Sequence, residues 1–196
     1  MGEPRRVLVA IEGADGVGKS TVADAVAREV GACSWYHDVR PGGEWTMALA
    51  FAHARAELCD ALTSGARIVR GVRVGTGDER VVIADRWALS EDVLGRAHVK
   101  SYARRSSETR RLFDAEWATT VYTRPDAVVI LTVADTDVWQ RRITQRDGRP
   151  PTFDETRQRV VYDSWPESGS VRRVDAARPL ADVVADVVVI VRDVTR

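Results

Sequence analysis

Apolar and polar positions along the chain fall into blocks that switch between two periods. Val7–Ile11 is an unbroken apolar run ending at Glu12-Gly13, which reads as a strand buried on both faces. Lys19–Val30 changes to helical spacing, with Val22, Ala23, Val26, Ala27 and Val30 on one stripe and Gly31 suited to its end. Cys33–His37 reads as a second strand, broken by Pro41-Gly42-Gly43. Trp45–Leu62 is helical in period and closes near Gly65. Ile68–Arg80 carries Gly71, Gly75 and Gly77 and reads as a loop with room for a short hairpin. Val81–Ala84 is a compact strand stopping at Asp85-Arg86. A helical stretch follows over Leu89–Val121, with a break around Arg104–Ser107. Ala127–Val133 is the strongest strand signal. Helices over Asp135–Gln145 and Phe153–Trp165 then flank a polar loop, Arg146–Thr152. Val171–Val174 is the last strand and Leu180–Val194 the last helix. There Leu180, Val183, Val184, Val187, Val188 and Val191 keep helical spacing, although so much valine also suits a strand. Strands separated by helices imply an α/β fold with a parallel sheet covered on both faces. No linker, repeat or low-complexity segment interrupts it, so residues 1–196 read as one domain.

The first strand-to-helix junction carries the clearest chemistry. Gly13-Ala14-Asp15-Gly16-Val17-Gly18-Lys19-Ser20 satisfies every fixed position of G-x-x-x-x-G-K-[ST]. A strand before it and a helix from Lys19 aim backbone N–H groups and the positive helix end at one point, a cradle for phosphate. In that arrangement Lys19 reaches the β- and γ-phosphates of ATP and the Ser20 hydroxyl ligates Mg²⁺. Lysine occurs only twice in the chain, at Lys19 and Lys100, amid abundant arginine, which makes Lys19 informative. The motif alone binds nucleotide and leaves the reaction open. A GTPase is expected to carry an Asn/Thr-Lys-x-Asp element, and Lys100, within Val99-Lys100-Ser101-Tyr102, does not supply it. A motor ATPase usually needs further domains. A small-molecule kinase fits a chain of 196 residues.

Composition narrows the partners. The formal net charge is zero, without the basic excess that a groove for a nucleic-acid polymer leaves. No stretch approaches the roughly 20 apolar residues of a membrane helix, and the polar Met1–Arg6 has no apolar signal core. A cytoplasmic location is the expectation. Cys33 and Cys59 form no Cys-x-x-Cys pair and read as buried thiols, with a disulfide between them the alternative. His37, His53 and His98 do not cluster in sequence as metal ligands would.

The ordered motifs resemble the thymidylate kinase family nearly end to end. Val9-Ala10-Ile11-Glu12-Gly13 through Ser20-Thr21 is similar to that family's loop, and Pro41-Gly42-Gly43 to its Arg-Glu-Pro-Gly-Gly-Thr turn. Phe51 to Ala56 resembles its substrate-binding helix, and Asp85-Arg86-Trp87 with Ser90 its Asp-Arg-Tyr-x-x-Ser element. Pro125-Asp126 and Val174-Asp175-Ala176 with Pro179 also match in place. The resemblance implies a P-loop kinase fold, a five-stranded parallel sheet ordered 2-3-1-4-5 and a mobile lid over about 142–153. It implies ATP and Mg²⁺ as cofactors, a nucleoside monophosphate as acceptor and a homodimer. By the same resemblance Asp85 organises the metal with Ser20, and Arg86 clamps the acceptor phosphate as its fork suits. Asp15 lies near the acceptor sugar or the metal, Phe51 stacks on the acceptor base, Arg55 hydrogen-bonds it and Ser90 belongs to the same site. Residues 13–21 hold the nucleotide. Some family members place an arginine within the loop; here Gly16 and Val17 stand there, so Arg142, Arg146 and Arg149 are the candidates for stabilising transferred charge.

Two departures bear on the acceptor. After Ser90 the chain reads Glu91-Asp92-Val93-Leu94-Gly95, where the family carries residues that read thymine and exclude a ribose hydroxyl. Arg40-Pro41 with Trp45, and Tyr162-Asp163-Ser164-Trp165, resemble elements of deoxynucleoside kinases instead. A nucleoside kinase needs a carboxylate base near the acceptor hydroxyl, expected where Arg40 stands. A cation there suits an acceptor already phosphorylated, although Glu12 or Glu44 could supply the base. The primary expectation is transfer to dTMP or a related pyrimidine nucleotide, modified ones included. The alternatives are a nucleoside kinase and a non-catalytic ATP-binding regulator.

Overall fold

A computed structural model describes residues 5–36, 44–87, 89–90 and 124–196, with side chains of α2 from residue 53 onward. The strands are β1 (Val7–Gly13), β2 (Cys33–Trp35), β3 (Val72–Val74), β4 (Val81–Asp85), β5 (Ala127–Thr132) and β6 (Val171–Asp175). The helices are α1 (Lys19–Val30), α2 (Glu44–Ser64), α3 (Thr136–Asp147), α4 (Phe153–Ser164) and α5 (Leu180–Thr195). They form one six-stranded sheet in the order β3-β2-β4-β1-β5-β6. All neighbours run parallel except β2 and β3. Without β3 the order is the expected 2-3-1-4-5.

The apolar runs are buried on both faces because each strand feeds two cores. On β1, Val7, Val9 and Ile11 join Val22 and Val26 of α1, Val129 of β5 and Val183, Val187 and Val191 of α5. Leu8 and Ala10 point the other way, to Leu58 and Leu62 of α2, Cys33, Trp35 and Trp87. Successive residues of a strand face opposite sides, so a central strand must be apolar throughout. In α5 the 3.6-residue spacing overrides the strand preference of valine: Val183, Val187 and Val191 are buried while Val189 is exposed.

Two segments differ from expectation. Ile68–Arg80 is not all loop, since Val72–Val74 pairs antiparallel with β2 and enlarges the sheet to six strands. The polar loop expected over Arg146–Thr152 is shorter: α3 runs on through Asp147, so Arg146 stands on the helix together with Arg142. Gly148 ends it in a left-handed conformation, its N–H bonded to the Thr144 carbonyl. Thr152 and Glu155 then start α4 with a reciprocal capping box. Pro41-Gly42-Gly43, Arg40, residues 91–94 and nearly all of the Leu89–Val121 helix lie outside the described residues. Cys33 and Cys59 are both buried thiols and are not joined in a disulfide. Among the described residues no helix is long and apolar enough to cross a membrane.

Candidate active site

The loop from β1 to α1 is built by its glycines and by a helix packed on top of it. Gly13 has φ +142°, and a Cβ there would lie 2.5 Å from the Leu131 carbonyl oxygen of β5. Gly16 has φ +80° and meets Ile143 of α3, where a Cβ would lie 2.6 Å from Cδ1. Trp139, one helical turn before Ile143, donates its indole N–H to the Asp15 carbonyl at 2.8 Å. Arg159 of α4 lies 5.0 Å over the Trp139 ring and bonds the Val133 and Ala134 carbonyls. A side chain at position 16 would meet Ile143, and Val17 is already packed in the core. Gly18 is the N-cap of α1 and no side chain caps that helix. Its first N–H groups are therefore left for an anion.

Lys19 is buried and donates to the Ala14 carbonyl at 2.7 Å. Burial, then the neighbouring Arg86 cation, pulls its ammonium down to about 7. Arriving phosphate would oppose both effects. Ser20 donates its hydroxyl to Asp85 Oδ2 at 2.5 Å. Asp85 is 1% exposed, and its Oδ1 has no hydrogen-bond partner among the described residues. A buried carboxylate oxygen left open beside a phosphate-loop hydroxyl fits a hydrated cation. Among the described residues no group of three or more His, Cys, Asp or Glu is arranged for a metal. A Mg²⁺ ion that takes its ligands mainly from phosphates and water needs none.

Arg86 is the one non-glycine at positive φ among the described residues, at 74°. A buried carboxylate holds that turn. Glu12 is fully buried on β1, and its Oε1 accepts the Trp87 and Ser90 N–H groups at 2.7 and 3.2 Å. Its Oε2 accepts the Ser90 hydroxyl at 2.5 Å and the Tyr162 hydroxyl at 2.9 Å. Burial raises the Glu12 carboxyl above its ordinary range, opposed by these donors. Burial likewise raises the Tyr162 phenol, and the Glu12 charge adds to it. The Arg86 guanidinium pairs closely with Asp15 and reaches the Ser90 hydroxyl at 3.4 Å. Lys19 lies 3.7 Å from the same Asp15 carboxylate. Burial alone would raise Asp15, but the Arg86 and Lys19 cations outweigh it and hold the group below its ordinary range.

Arg146 and Arg149 are paired with acids of their own segment. Arg149 forks onto Glu155 at 2.8 and 3.0 Å, and Arg146 binds Asp147 at 2.5 and 2.7 Å. The Arg146 and Asp15 charges also act on each other, lowering the Asp15 carboxyl and raising the guanidinium. Arg142 donates to the Ala176 carbonyl at 2.9 Å, after β6. The structure thus gathers Asp15, Lys19, Ser20, Asp85, Arg86 and Ser90 at the ends of β1 and β4. Arg142 and Arg149 are held in contacts of their own, with the Ala176 carbonyl and with Glu155. Arg55 is buried in α2; the Phe51 side chain and Arg40 lie outside what is described. The sequence reading did not single out Trp139, Ile143, Tyr162 as a partner of Glu12, or Arg73, which meets Asp85. Only Trp139 carried a signal, as the large apolar residue on the inner stripe of a short polar helix.

No protein-family model matches the chain, and no curated protein sequence does. Solved structures do. A deoxyadenosine kinase from M. mycoides, with products dCMP and a flexible dCDP bound, matches with a TM-score of 0.65 and 15% identity. That match covers 95% of this chain and all of that one. Thymidylate kinase from Candida albicans matches at 0.63 and 16% identity, over 96% and 92% of the two chains. A gluconokinase from Sinorhizobium meliloti 1021 matches at 0.50 and 17%, over 94% and 92%. At such identities the likeness is one of fold, that of the P-loop kinases of nucleosides, nucleotides and sugars.

Proposed function

We propose that the protein is an ATP- and Mg²⁺-dependent kinase that phosphorylates a nucleoside monophosphate, with dTMP or a related pyrimidine nucleotide the leading acceptor. The observation that carries this is Arg86. Its guanidinium sits beside the phosphate loop on a turn that Glu12 holds in a left-handed conformation. A fixed cation there suits an acceptor that brings its own phosphate.

The loop N–H groups and Lys19 bind the ATP phosphates, Lys19 exchanging the Ala14 carbonyl for phosphate oxygen. Ser20 and Asp85 would hold Mg²⁺, which would neutralise charge on the transferring phosphates. An acceptor phosphate oxygen attacks the γ-phosphorus as the bond to the ADP oxygen breaks. The attacking oxygen is already anionic, so no proton has to leave it. Arg86 orients the acceptor, and Arg146 and Arg149 add positive charge where it spreads in transfer. Both must first exchange their contacts with Asp147 and Glu155.

A nucleoside acceptor is the second reading, favoured by the likeness to deoxyadenosine kinase. It needs a general base. The two acids nearest Arg86 are poorly suited: Glu12 accepts four hydrogen bonds and is sealed, and Asp15 is held ionised by two cations. The test is ADP release measured across matched nucleosides and their 5′-monophosphates. Turnover should require the monophosphate; turnover with nucleosides alone would reverse the assignment. Tight ATP binding with no transfer to any acceptor would make the protein a nucleotide-binding regulator.

A further inference from the structure

Arg73, at the centre of β3, belongs to no motif, yet it reaches the proposed metal carboxylate. Its Nη1 donates to Asp85 Oδ2 at 2.8 Å. Its Nε and Nη2 lie 3.0 and 2.9 Å from Oδ1 of Asp24, on α1 one turn beyond Ser20. Asp24 Oδ1 also accepts the Ser34 hydroxyl of β2 at 2.5 Å. The guanidinium lies 5.3 Å over the Tyr36 ring. Two carboxylates and an aromatic face thus fix one planar cation from three sides.

This arrangement constrains Asp85. A carboxylate turns easily about its last bond. Here Oδ2 is claimed twice, by Ser20 and Arg73, while the buried Oδ1 has no partner among the described residues. Ser20 spends its proton on Oδ2, so its oxygen lone pairs remain for a cation. Asp24 ties the other side of the Arg73 guanidinium to α1.

We propose that Arg73 is a positioning residue for the divalent cation. It pins Asp85 Oδ2 so that Oδ1 and the Ser20 oxygen face the ion together, and Asp24 anchors it in that task. The proposal rests on reading Ser20 and Asp85 as the metal site.

The test is calorimetric titration of the full chain with ADP, in Mg²⁺ and in EDTA, for the unmodified protein, Arg73→Met, Arg73→Lys and Asp24→Asn. Groups that orient metal-binding side chains cost about 10–100-fold in metal affinity when removed. Arg73→Met should therefore cut the Mg²⁺-dependent gain in ADP affinity at least about tenfold, with affinity in EDTA unchanged. Arg73→Lys should recover part of the gain, since an ammonium meets one carboxylate but does not fork across two. Asp24→Asn should shift it in the same direction as Arg73→Met. Electron paramagnetic resonance of Mn²⁺ should rank the variants alike. Equal losses in Mg²⁺ and EDTA would make Arg73 a brace of the fold and overturn the proposal. An unchanged or larger Mg²⁺ gain would overturn it as well. If Arg73→Met does not fold, Arg73→Lys and Asp24→Asn decide by the same criteria. Lack of any Mg²⁺ effect in the unmodified protein would overturn the metal-site reading and the proposal with it.

Discussion

Replacing Glu155 by glutamine tests the electrostatics of the α3–α4 junction, because one carboxylate there both caps a helix and pairs with an arginine. Glu155 Oε2 accepts the Thr152 N–H at 2.6 Å and its hydroxyl at 2.8 Å, and the carboxylate takes both arms of Arg149. Arg149 and the Thr152 donors hold its pKa down, from the ordinary 4.5 to about 2. That drop corresponds to a ceiling of roughly 3.5 kcal/mol, at ~1.4 kcal/mol per pH unit. The Arg149 side chain is 46% exposed, so solvent screening cuts the expected loss in Glu155→Gln to about 1–2 kcal/mol. A depressed carboxylate pKa gives stability that is whole above pH 4.5 and is lost as pH falls towards 2. The gap between the two proteins should thus be full at pH 7, shrink through pH 4 and close near pH 2. Urea unfolding of both proteins across that range reads it directly. A gap that is absent at pH 7, or that stays constant with pH, would refute the assignment of the stability to the ionised Glu155.

Three further outcomes follow from the site. Lys19→Ala should abolish phosphotransfer in a coupled ADP-release assay while the fold survives by circular dichroism; full activity would sink the mechanism. Arg86→Ala should raise the acceptor KM by at least about tenfold, the ~1.5–3 kcal/mol of a charge-assisted hydrogen bond, and leave the ATP KM nearly unchanged; equal effects on both would remove Arg86 from the acceptor side. Tyr162→Phe deletes one of two buried hydroxyls on Glu12 Oε2. It should destabilise the protein by about 1 kcal/mol and shift the acceptor KM through Arg86, measured by thermal unfolding and by saturation kinetics; an ATP-side effect alone would count against that link.

What could be read from the sequence follows how local each feature is. The phosphate loop is contiguous, from Gly13 to Ser20, and its flanking strand and helix announce themselves by period. The sheet order came with the resemblance, and its three central strands, β4, β1 and β5, are apolar runs. β3 was hidden because its identity rests on backbone pairing with β2, between a Gly71 and a Gly75 that suggest only turns. Pair contacts far apart in sequence were equally hidden. Glu12 meets Ser90 and Tyr162, and Arg73 joins Asp24 to Asp85. Nothing in the residue types at those separations distinguishes such partners from solvated charges. Period did resolve α5 correctly, since burial at every third or fourth valine stabilises more than a valine's intrinsic helix penalty costs.

The short antiparallel strand has a second consequence, for association between molecules. A parallel sheet ending on β2 would present the apolar strand Cys33–Trp35 as its margin. β3 covers that margin with three residues between glycine turns, with a charged side chain at its centre. Another chain seeking to extend the sheet there finds too little straight backbone to pair with. The strand that carries Arg73 to Asp85 thereby also protects the molecule against edge-to-edge aggregation.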